Sequence, residues 1–448
     1  MAPRPSTVYR PWTCVCGQSN RGPWPCTRCF TPPPPEVVAS PTLPSPHRRH
    51  PAVIGLAIVV AVLLLAALAG AVVVSREPGG AAAGVTVEVG PDAPPPPLPG
   101  DRGKLAAALP GLMRFVAQAR GLPFTKPVKV TLQSDSAFVR TFQKEQLRDT
   151  ASRRDELAKT EKVFEALGLI GRDVNLQKAV DSLYSAGVAG YYDPQKKALF
   201  VRGDKLTPMV RITLVHELTH ALQDQHFRID RPDLDKRDDE SSTGLTGLVE
   251  GDATRIEDEY RQGLTEAEQK QDETEESSAA AGIDPTTPRV LIYLLAFPYI
   301  VGPDFTKAVV AQAGQGRLDT AFEEPPTTSE QLMHPDAFLA GDGPKDVRAP
   351  VVPNGRKKID EGVLGELGLL LMLEPTVGQA AAQTAAAGWG GDRYVAYATG
   401  NRTCVRATIT MDTANDTGEL RSALERLASS RRGVTVQGDS PLTLTSCG

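Results

Sequence analysis

Residues 52–74, AVIGLAIVVAVLLLAALAGAVVV, form an apolar run without a charged or strongly polar side chain. At about 1.5 Å of rise per residue, a helix of this length can cross a hydrocarbon core of roughly 30 Å. A cleaved signal peptide fits less well, because some fifty residues precede the run and the run exceeds a usual signal core. We therefore predict one transmembrane helix that separates a short N-terminal part from a long C-terminal part.

The charges that flank this run predict its orientation. The segment 47–50, HRRH, precedes it, whereas the far side offers only Arg76 with Glu77 next to it. Because basic residues concentrate on the cytoplasmic side of membrane spans, we expect the N-terminus in the cytoplasm. Residues 76–448 would then lie on the extracytoplasmic or periplasmic face of the cytoplasmic (inner) membrane. The net charge of −5 gives no indication that this main body binds nucleic acid.

Four of the six cysteines lie before the predicted span, within WTCVCGQSNRGPWPCTRCF, and would face the reducing cytoplasm: Cys14, Cys16, Cys26 and Cys29. Metal ligation is more common there than disulfide formation, and two pairs of thiolates can complete a tetrahedral structural zinc site. With Trp12 and Asn20 the pattern resembles a RanBP2-type zinc finger, although its first pair is Cys-x-Cys, one residue short. The resemblance implies a single-stranded RNA or ubiquitin-like partner. A zinc-stabilised module that contacts another cytoplasmic protein is the alternative.

The remaining two cysteines, Cys404 and Cys447, lie in the part predicted to be outside the cytoplasm. An oxidising compartment allows them to form a disulfide. Such a bridge would close a loop of about forty residues, which chain-entropy arguments value at roughly 3–4 kcal/mol. Two buried free thiols are the alternative.

Shifts in composition predict five parts of the chain. They are a zinc-finger-like module (1–30), a Pro-rich linker (31–51), the membrane span (52–74), a Pro/Gly/Ala-rich linker (75–103) and an extracytoplasmic domain (104–448). Apolar periodicity in the last part predicts many helices and few short strands. These include a hairpin over 187–203 and a C-terminal strand-helix-strand part over 393–447. The predicted fold class is α+β and helix-rich.

The stretch 216–226, HELTHALQDQH, contains the strongest indication of chemistry. His216 and His220 are four residues apart, so on a helix their imidazoles lie about 40° apart and one turn along, where they can share a metal ion. Glu217, beside the first histidine, can remove a proton from a water molecule activated by that ion. The pattern predicts a catalytic zinc site with Glu217 as the base.

A third zinc ligand has two main candidates. His226 has the spacing of a metzincin ligand, but that pattern needs a glycine where this chain has Gln223. If the helix continues, His226 lies about 240° round and roughly 9 Å further along than His220, out of reach of the same ion. Glu250, at the edge of an apolar stripe in a following helix, is the favoured ligand, as in gluzincins. Another acidic residue remains an alternative.

Four stretches together resemble a family of poorly characterised prokaryotic zincin-like metallopeptidases: HELTHALQDQHF (216–227), LVEGDAT (248–254), PPTTSEQLMHP (325–335) and GWGGDRY (388–394). The resemblance spans roughly residues 105–430 and implies a zincin-like fold. It also implies that the glutamate of the EGDA segment, Glu250, is the third ligand.

The resulting hypothesis is a membrane-anchored zinc metallopeptidase that hydrolyses extracytoplasmic proteins or peptides. His334 and Tyr299 are candidates to stabilise the oxyanion. The strand KALFV (197–201) is a candidate to pair with an extended substrate. Two alternatives stay open: a catalytically silent zincin-fold protein that serves as an envelope binding module, and a metzincin-like enzyme that uses His226 as a ligand.

Overall fold

The computed structural model describes residues 11–13, 19–21, 84–90, 100–145, 150–203, 205–231, 234 and 239–448. This part of the chain has a mixed α+β fold in which helices predominate. The four predicted zinc cysteines, the Pro-rich linker 31–51 and the predicted membrane span 52–74 lie outside the described residues.

The described helices and strands have the following bounds. The helices are α1 (Gly100–Arg120), α2 (Asp135–Glu145), α3 (Ala151–Leu167), α4 (Leu176–Gly187), α5 (Pro208–Phe227), α6 (Asp239–Gln262), α7 (Glu266–Ala280), α8 (Arg289–Ala313), α9 (Gln315–Glu323), α10 (Ser329–Met333), α11 (Pro335–Ala340), α12 (Gly365–Val377), α13 (Gln379–Ala386) and α14 (Ala414–Ser430). The strands are β1 (Pro11–Thr13), β2 (Ser19–Arg21), β3 (Gly84–Val89), β4 (Val128–Gln133), β5 (Gly190–Asp193), β6 (Ala198–Arg202), β7 (Lys358–Gly362), β8 (Trp389–Thr399), β9 (Arg402–Met411), β10 (Val434–Gln437) and β11 (Leu442–Cys447).

The two N-terminal strands form an antiparallel pair. Trp12 of β1 lies opposite Asn20 of β2 in the register. The two residues that accompany the cysteines in the finger-like pattern therefore share one small hairpin.

One compact unit contains most of the described helices, including those of the metal motif, and a four-stranded sheet of order β3-β4-β6-β5. Strands β4 and β6 are parallel, and both outer pairs are antiparallel. The linker predicted over 75–103 is wrong at β3, because Gly84–Val89 pairs with β4 along its whole length. The valines of GVTVEV alternate with polar residues, which is a strand pattern, but the surrounding Pro-, Gly- and Ala-rich segment concealed it.

The predicted hairpin over 187–203 is present as β5 and β6, but the strand predicted to pair with substrate is not at an edge. Strand β6, which contains most of KALFV, pairs with β4 on one side and β5 on the other. The edge strand of this sheet beside α5, the helix that carries His216 and His220, is β5, Gly190–Asp193. The sequence could not distinguish the two strands because their order depends on the distant partner β4.

Helix α5 begins where the sequence predicts. The Thr207 side chain accepts a hydrogen bond from the backbone N–H of Val210, and Pro208 occupies the first turn, where a missing N–H costs nothing. The helix continues past Gln223 to Phe227, as the missing glycine predicts, and ends at Arg228 in the left-handed conformation with φ 55°. Most of its length is buried, so its polar groups must find partners inside the protein.

Helices α6 and α8 cross at very close range. A Cβ atom placed on Gly251 would lie 2.3 Å from the carbonyl carbon of Gly302, so only two glycines allow this approach. The sequence predicts separate helices over 288–297 and 304–314, but α8 is continuous through Pro298 and Pro303. Each interior proline costs about 3 kcal/mol in an isolated helix, and burial against α6 offsets that cost here.

Helix α8 is also the one described helix that is long and apolar enough to cross a membrane by length and composition. It is mostly buried within the protein, and it packs along α6. A core helix passes the same test, so this helix gives only weak support for a membrane span.

A second compact unit contains residues 162–172 and 344–448. Its sheet is antiparallel throughout, in the order β10-β11-β9-β8-β7, and α12, α13 and α14 accompany it. The strand-helix-strand part predicted over 393–447 has one more strand after its helix, because Ser440-Pro441 separates β10 from β11. Cys404 and Cys447 are opposite each other on β9 and β11 and are joined by a disulfide, with an S–S distance of 2.05 Å.

Asp392 organises the start of α12 in this unit. Its carboxylate accepts hydrogen bonds from the backbone N–H groups of Leu364 and Gly365 and from the indole N–H of Trp389. Burial raises the pKa of Asp392 to about 6, although these three donors favour its charged form. Asp392 and Trp389 of the segment GWGGDRY thus have a structural role within this unit.

Candidate metal centre

Three side chains from two helices meet at one point inside the protein. The Nε2 atoms of His216 and His220, both on α5, are 3.0 Å apart. The Oε2 atom of Glu250, on α6, lies 3.1 Å from the first of these nitrogens and 3.3 Å from the second. All three side chains are buried, and they form the candidate metal-binding group of the described residues.

The spacing of these atoms fits ligands of one ion. Zinc binds nitrogen and oxygen ligands at about 2.0–2.2 Å, so two ligands of a tetrahedral site are separated by roughly 3.3 Å. The three observed separations lie close to that value. All three atoms belong to buried side chains, so either protons or a cation must lie between these acceptors.

The opposite nitrogens of the two histidines are held by hydrogen bonds. Nδ1 of His216 donates to Glu257 on α6 at 2.8 Å. Nδ1 of His220 donates to the side-chain oxygen of Gln223 at 3.0 Å. With both protons on Nδ1, each Nε2 keeps its lone pair toward Glu250, which is the arrangement that a metal ligand needs.

The charges of the centre also favour a cation. Burial opposes a charge on His216, but hydrogen bonds to Glu250 and Glu257 outweigh it and raise the pKa of His216 to about 10. Burial likewise opposes ionisation of Glu250, and the two histidines outweigh it and lower the pKa of Glu250 to about 2. The carboxylates therefore stabilise positive charge at this point, whether it is carried by protons or by a metal ion.

Glu217 lies next to this group in the sequence and is fully buried. No side chain among the described residues hydrogen-bonds its carboxylate, and the backbone N–H of Tyr192 on β5 interacts with it. Burial raises the pKa of Glu217 to about 7, against the attraction of His220 and His216. A buried carboxyl group whose pKa lies near 7 can both accept and release a proton at neutral pH. Gly190 of β5 is close enough that a Cβ atom there would lie 3.3 Å from Oε1 of Glu217.

Tyr299, one of the two candidates for the oxyanion, lies at the centre. Its ring lies nearly parallel to that of His216, with 6.1 Å between the ring centroids. Burial raises its pKa well above the ordinary value, and the charge of Glu250 and a hydrogen bond to it add to the effect. The hydroxyl group therefore stays protonated and donates to Glu250.

The other two histidines of the predicted extracytoplasmic part are placed differently. His334 is exposed at the junction of α10 and α11, where its backbone links the two short helices, whereas the centre is buried. Its role as an oxyanion donor stays a prediction without geometric support. The ring of His226 hydrogen-bonds the carbonyl oxygen of Pro123 at 2.7 Å, and it is not part of the metal-binding group.

Sequence reasoning missed the residues that support the ligands. Arg261 donates to Glu257 at 2.9 Å and also contacts Asp272 and Glu276 of α7. From the sequence alone, the acidic run 266–277 predicts a solvated helix face; this is wrong for Asp272 and Glu276, which are buried. Their spacing of four residues was a signal that both could lie on one inward face.

Arg120 of α1 supports the other side of the centre. Its Nε atom donates to Asp252 at 2.6 Å, and its Nη2 atom lies 2.6 Å from Asp319. The guanidinium group also packs over the rings of Phe227 and Phe322, 5.5 and 5.7 Å from their centroids. Asp252 in turn accepts from Gln223 at 3.2 Å, so a continuous polar chain leads from α1 to His220.

Comparison with known families gives one match. Residues 351–446 match a family described as a domain of unknown function (DUF8575). The match covers well under half of the chain. It lies within the second compact unit, and its residues do not include the metal-binding group. No curated protein matches the chain. No solved structure matches it either.

Proposed function

We propose that the chain is a zinc metallopeptidase of the gluzincin type with a zincin-like catalytic fold. The observation that carries this proposal is the convergence of three ligand atoms within 3.0–3.3 Å of one another, with both histidine Nδ1 atoms already engaged. His216, His220 and Glu250 would hold the ion, as the zincin resemblance also implies. Zinc held by these residues would polarise a peptide carbonyl and lower the pKa of a water molecule to about 7.

The residues of the chain have distinct parts in this proposal. Glu217 removes a proton from the attacking water and later gives a proton to the leaving amine. Tyr299, protonated and beside Glu250, would turn its hydroxyl hydrogen from that carboxylate to the oxygen that gains negative charge. Strand β5 replaces KALFV as the strand that pairs with the substrate, since it is at the sheet edge and its Gly190 adjoins Glu217.

The rest of the proposal concerns location and partners. The apolar run 52–74 and its flanking charges support a single membrane span with the catalytic domain outside the cytoplasm. The disulfide between Cys404 and Cys447 supports the same side, because such bonds persist in oxidising compartments. The substrate is then an extracytoplasmic peptide or protein. The N-terminal cysteines would hold a second, structural zinc and serve a cytoplasmic protein or RNA partner.

Zinc content tests the proposed set of ligands. The full chain is prepared with Cys26 and Cys29 changed to serine, so that the N-terminal site does not contribute. We expect one zinc per chain, its loss in Glu250→Ala and its retention in His226→Ala. Loss of zinc in His226→Ala with retention in Glu250→Ala would instead support a metzincin-like site.

Catalysis is tested separately from zinc binding. We expect the zinc-loaded chain to cleave members of a broad peptide library, and Glu217→Gln to abolish cleavage while it retains zinc. A wild-type chain that binds zinc and cleaves nothing would favour the silent binding module. Complete absence of zinc from the wild-type chain would refute the metallopeptidase proposal.

A further inference from the structure

We propose that Gln223 is a positioning residue that orients His220 and holds the two ligand helices in register. The inference rests on the proposed zinc site and adds a residue outside the HExxH motif to it. Gln223 lies one turn after His220 on α5, it is completely buried, and all the hydrogen bonds described for it are to residues of the centre or next to it.

The surroundings of Gln223 fix the orientation of its amide. The Nε2 atom lies 3.0 Å from the carbonyl oxygen of Val249 and 3.2 Å from Oδ2 of Asp252. Both neighbours are acceptors, so this atom must be the donating NH₂ group. The other end of the amide, facing His220, is therefore the oxygen, which can only accept.

This orientation determines the proton position on His220. An acceptor 3.0 Å from Nδ1 requires that Nδ1 carry the hydrogen. Nε2 is then free to use its lone pair at the centre, where it lies 3.3 Å from Glu250. Without Gln223, no described side chain accepts a hydrogen bond from Nδ1 of His220, and one of the three ligands loses the contact that orients its ring.

Gln223 also links the helices that supply the ligands. Its oxygen contacts a ligand on α5, and its nitrogen contacts Val249, the residue directly before the ligand Glu250 on α6. Only an amide side chain offers an acceptor and two donors at this length. The donor end of the amide also faces Asp252, whose carboxylate forms salt bridges with Arg120 at 2.6 Å and with Arg255 at 2.8 Å.

The test compares three variants of the full chain, each in the background with Cys26 and Cys29 changed to serine, where one zinc site remains. Gln223→Met keeps the length of the side chain and removes its hydrogen bonds. Gln223→Glu keeps an acceptor toward His220 and removes the donor toward Val249 and Asp252. Gln225→Met is the matched control, because Gln225 lies on the same helix but bonds to Thr125 and Lys126.

Zinc affinity is measured by competition with a chelator, and cobalt is substituted to record its visible absorption spectrum. We expect Gln223→Met to weaken zinc binding about 10- to 100-fold and to change the cobalt spectrum, the range typical for removal of a group that orients a metal ligand. Gln223→Glu should recover most of the affinity, and Gln225→Met should match the wild type. If the methionine variant does not fold, Gln223→Asn, whose amide is too short to span both contacts, takes its place.

The results separate this inference from the proposed function. A wild-type chain that binds zinc, with affinity and cobalt spectrum unchanged in Gln223→Met, would refute the role of Gln223 alone. Equal losses of zinc affinity in Gln223→Met and Gln223→Glu would also refute it. The inference predicts that the restored acceptor recovers affinity, whereas a purely structural defect does not. A wild-type chain that binds neither metal would refute the zinc site itself.

Discussion

Glu257 accepts a hydrogen bond from Nδ1 of His216 at 2.8 Å, while Glu250 contacts Nε2 of the same ring at 3.1 Å. The two glutamates are seven residues apart on α6, so they lie on the same face of the helix, about 10 Å apart along its axis. One imidazole therefore spans the gap between two carboxylates, and the register of α5 against α6 is set by charge as well as by packing.

Glu257→Gln is expected to weaken zinc binding about tenfold, the lower end of the usual range for such partners. The amide still accepts from His216, but it no longer makes the ring more basic by its charge. Zinc affinity by chelator competition measures the effect. Glu259→Gln, an exposed change on the same helix, should leave the affinity unchanged. Equal affinities for both variants and the wild type would contradict the role of Glu257.

Glu276→Gln is expected to change how stability depends on pH. Burial and the neighbouring acids Asp272 and Glu257 outweigh Arg261 and raise the pKa of Glu276 to about 8. Between about pH 4.5 and pH 8 the folded chain holds a proton that the unfolded chain has released, so stability falls as pH rises.

The contribution of Glu276 to this slope, up to about 1.4 kcal/mol per pH unit, should be lost in Glu276→Gln, so the slope becomes shallower. Urea unfolding followed by circular dichroism at several pH values measures it. The control is Glu266→Gln, an exposed change at the start of the same helix, which should retain the wild-type slope. A slope identical in the wild type and Glu276→Gln would show that Glu276 is not the group that holds the proton.

Gly251→Ala tests the close crossing of α6 and α8. The added methyl group would meet the backbone of Gly302 at 2.3 Å, and backbone cannot move aside as a flexible side chain can. We expect a loss of about 3 kcal/mol, the upper end for overpacking, together with weaker zinc binding because Glu250 is the adjacent residue.

The control for Gly251→Ala is Gly316→Ala on α9, where a Cβ atom would meet nothing within 4 Å. It should stabilise the helix by about 0.5–1 kcal/mol through its better helix propensity. Thermal and urea unfolding provide both values. A well-tolerated Gly251→Ala would mean that the two helices can separate without cost.

Arg120→Met is expected to destabilise the protein by about 3–5 kcal/mol, because it leaves Asp252 buried without its cation. Arg114→Met, an exposed change on α1, should be nearly neutral. The double variant Arg120→Met/Asp252→Asn should recover part of the loss, since the uncompensated charge is then gone. Urea unfolding of the three variants distinguishes loss of charge balance from loss of packing around Phe227 and Phe322.

The parts of the site that the sequence predicts depend on local geometry. The spacing of His216 and His220 fixes their common face on a helix, and the missing glycine at Gln223 predicts that the helix continues. Glu250 follows from its place at the edge of an apolar stripe. Each of these inferences uses only the period of one helix.

The parts that escape sequence reasoning depend on contacts between distant segments. Gln223 is visible in the sequence only as an absent glycine, because its hydrogen bonds require the backbone of α6. The burial of Glu276 depends on Arg261, which lies on a different helix. The edge position of β5 depends on the parallel pairing of β4 with β6, and no local pattern distinguishes an edge strand from an inner one.

The disulfide between Cys404 and Cys447 has a practical consequence for preparing the protein. It joins the last strand of the chain, β11, to β9. In a chain produced in a reducing cytosol, Cys404 and Cys447 would be free thiols. Strand β11 would then be held on the sheet by hydrogen bonds and packing alone. Expression with export to an oxidising compartment, or oxidative refolding, is therefore the appropriate source of material for every stability comparison above.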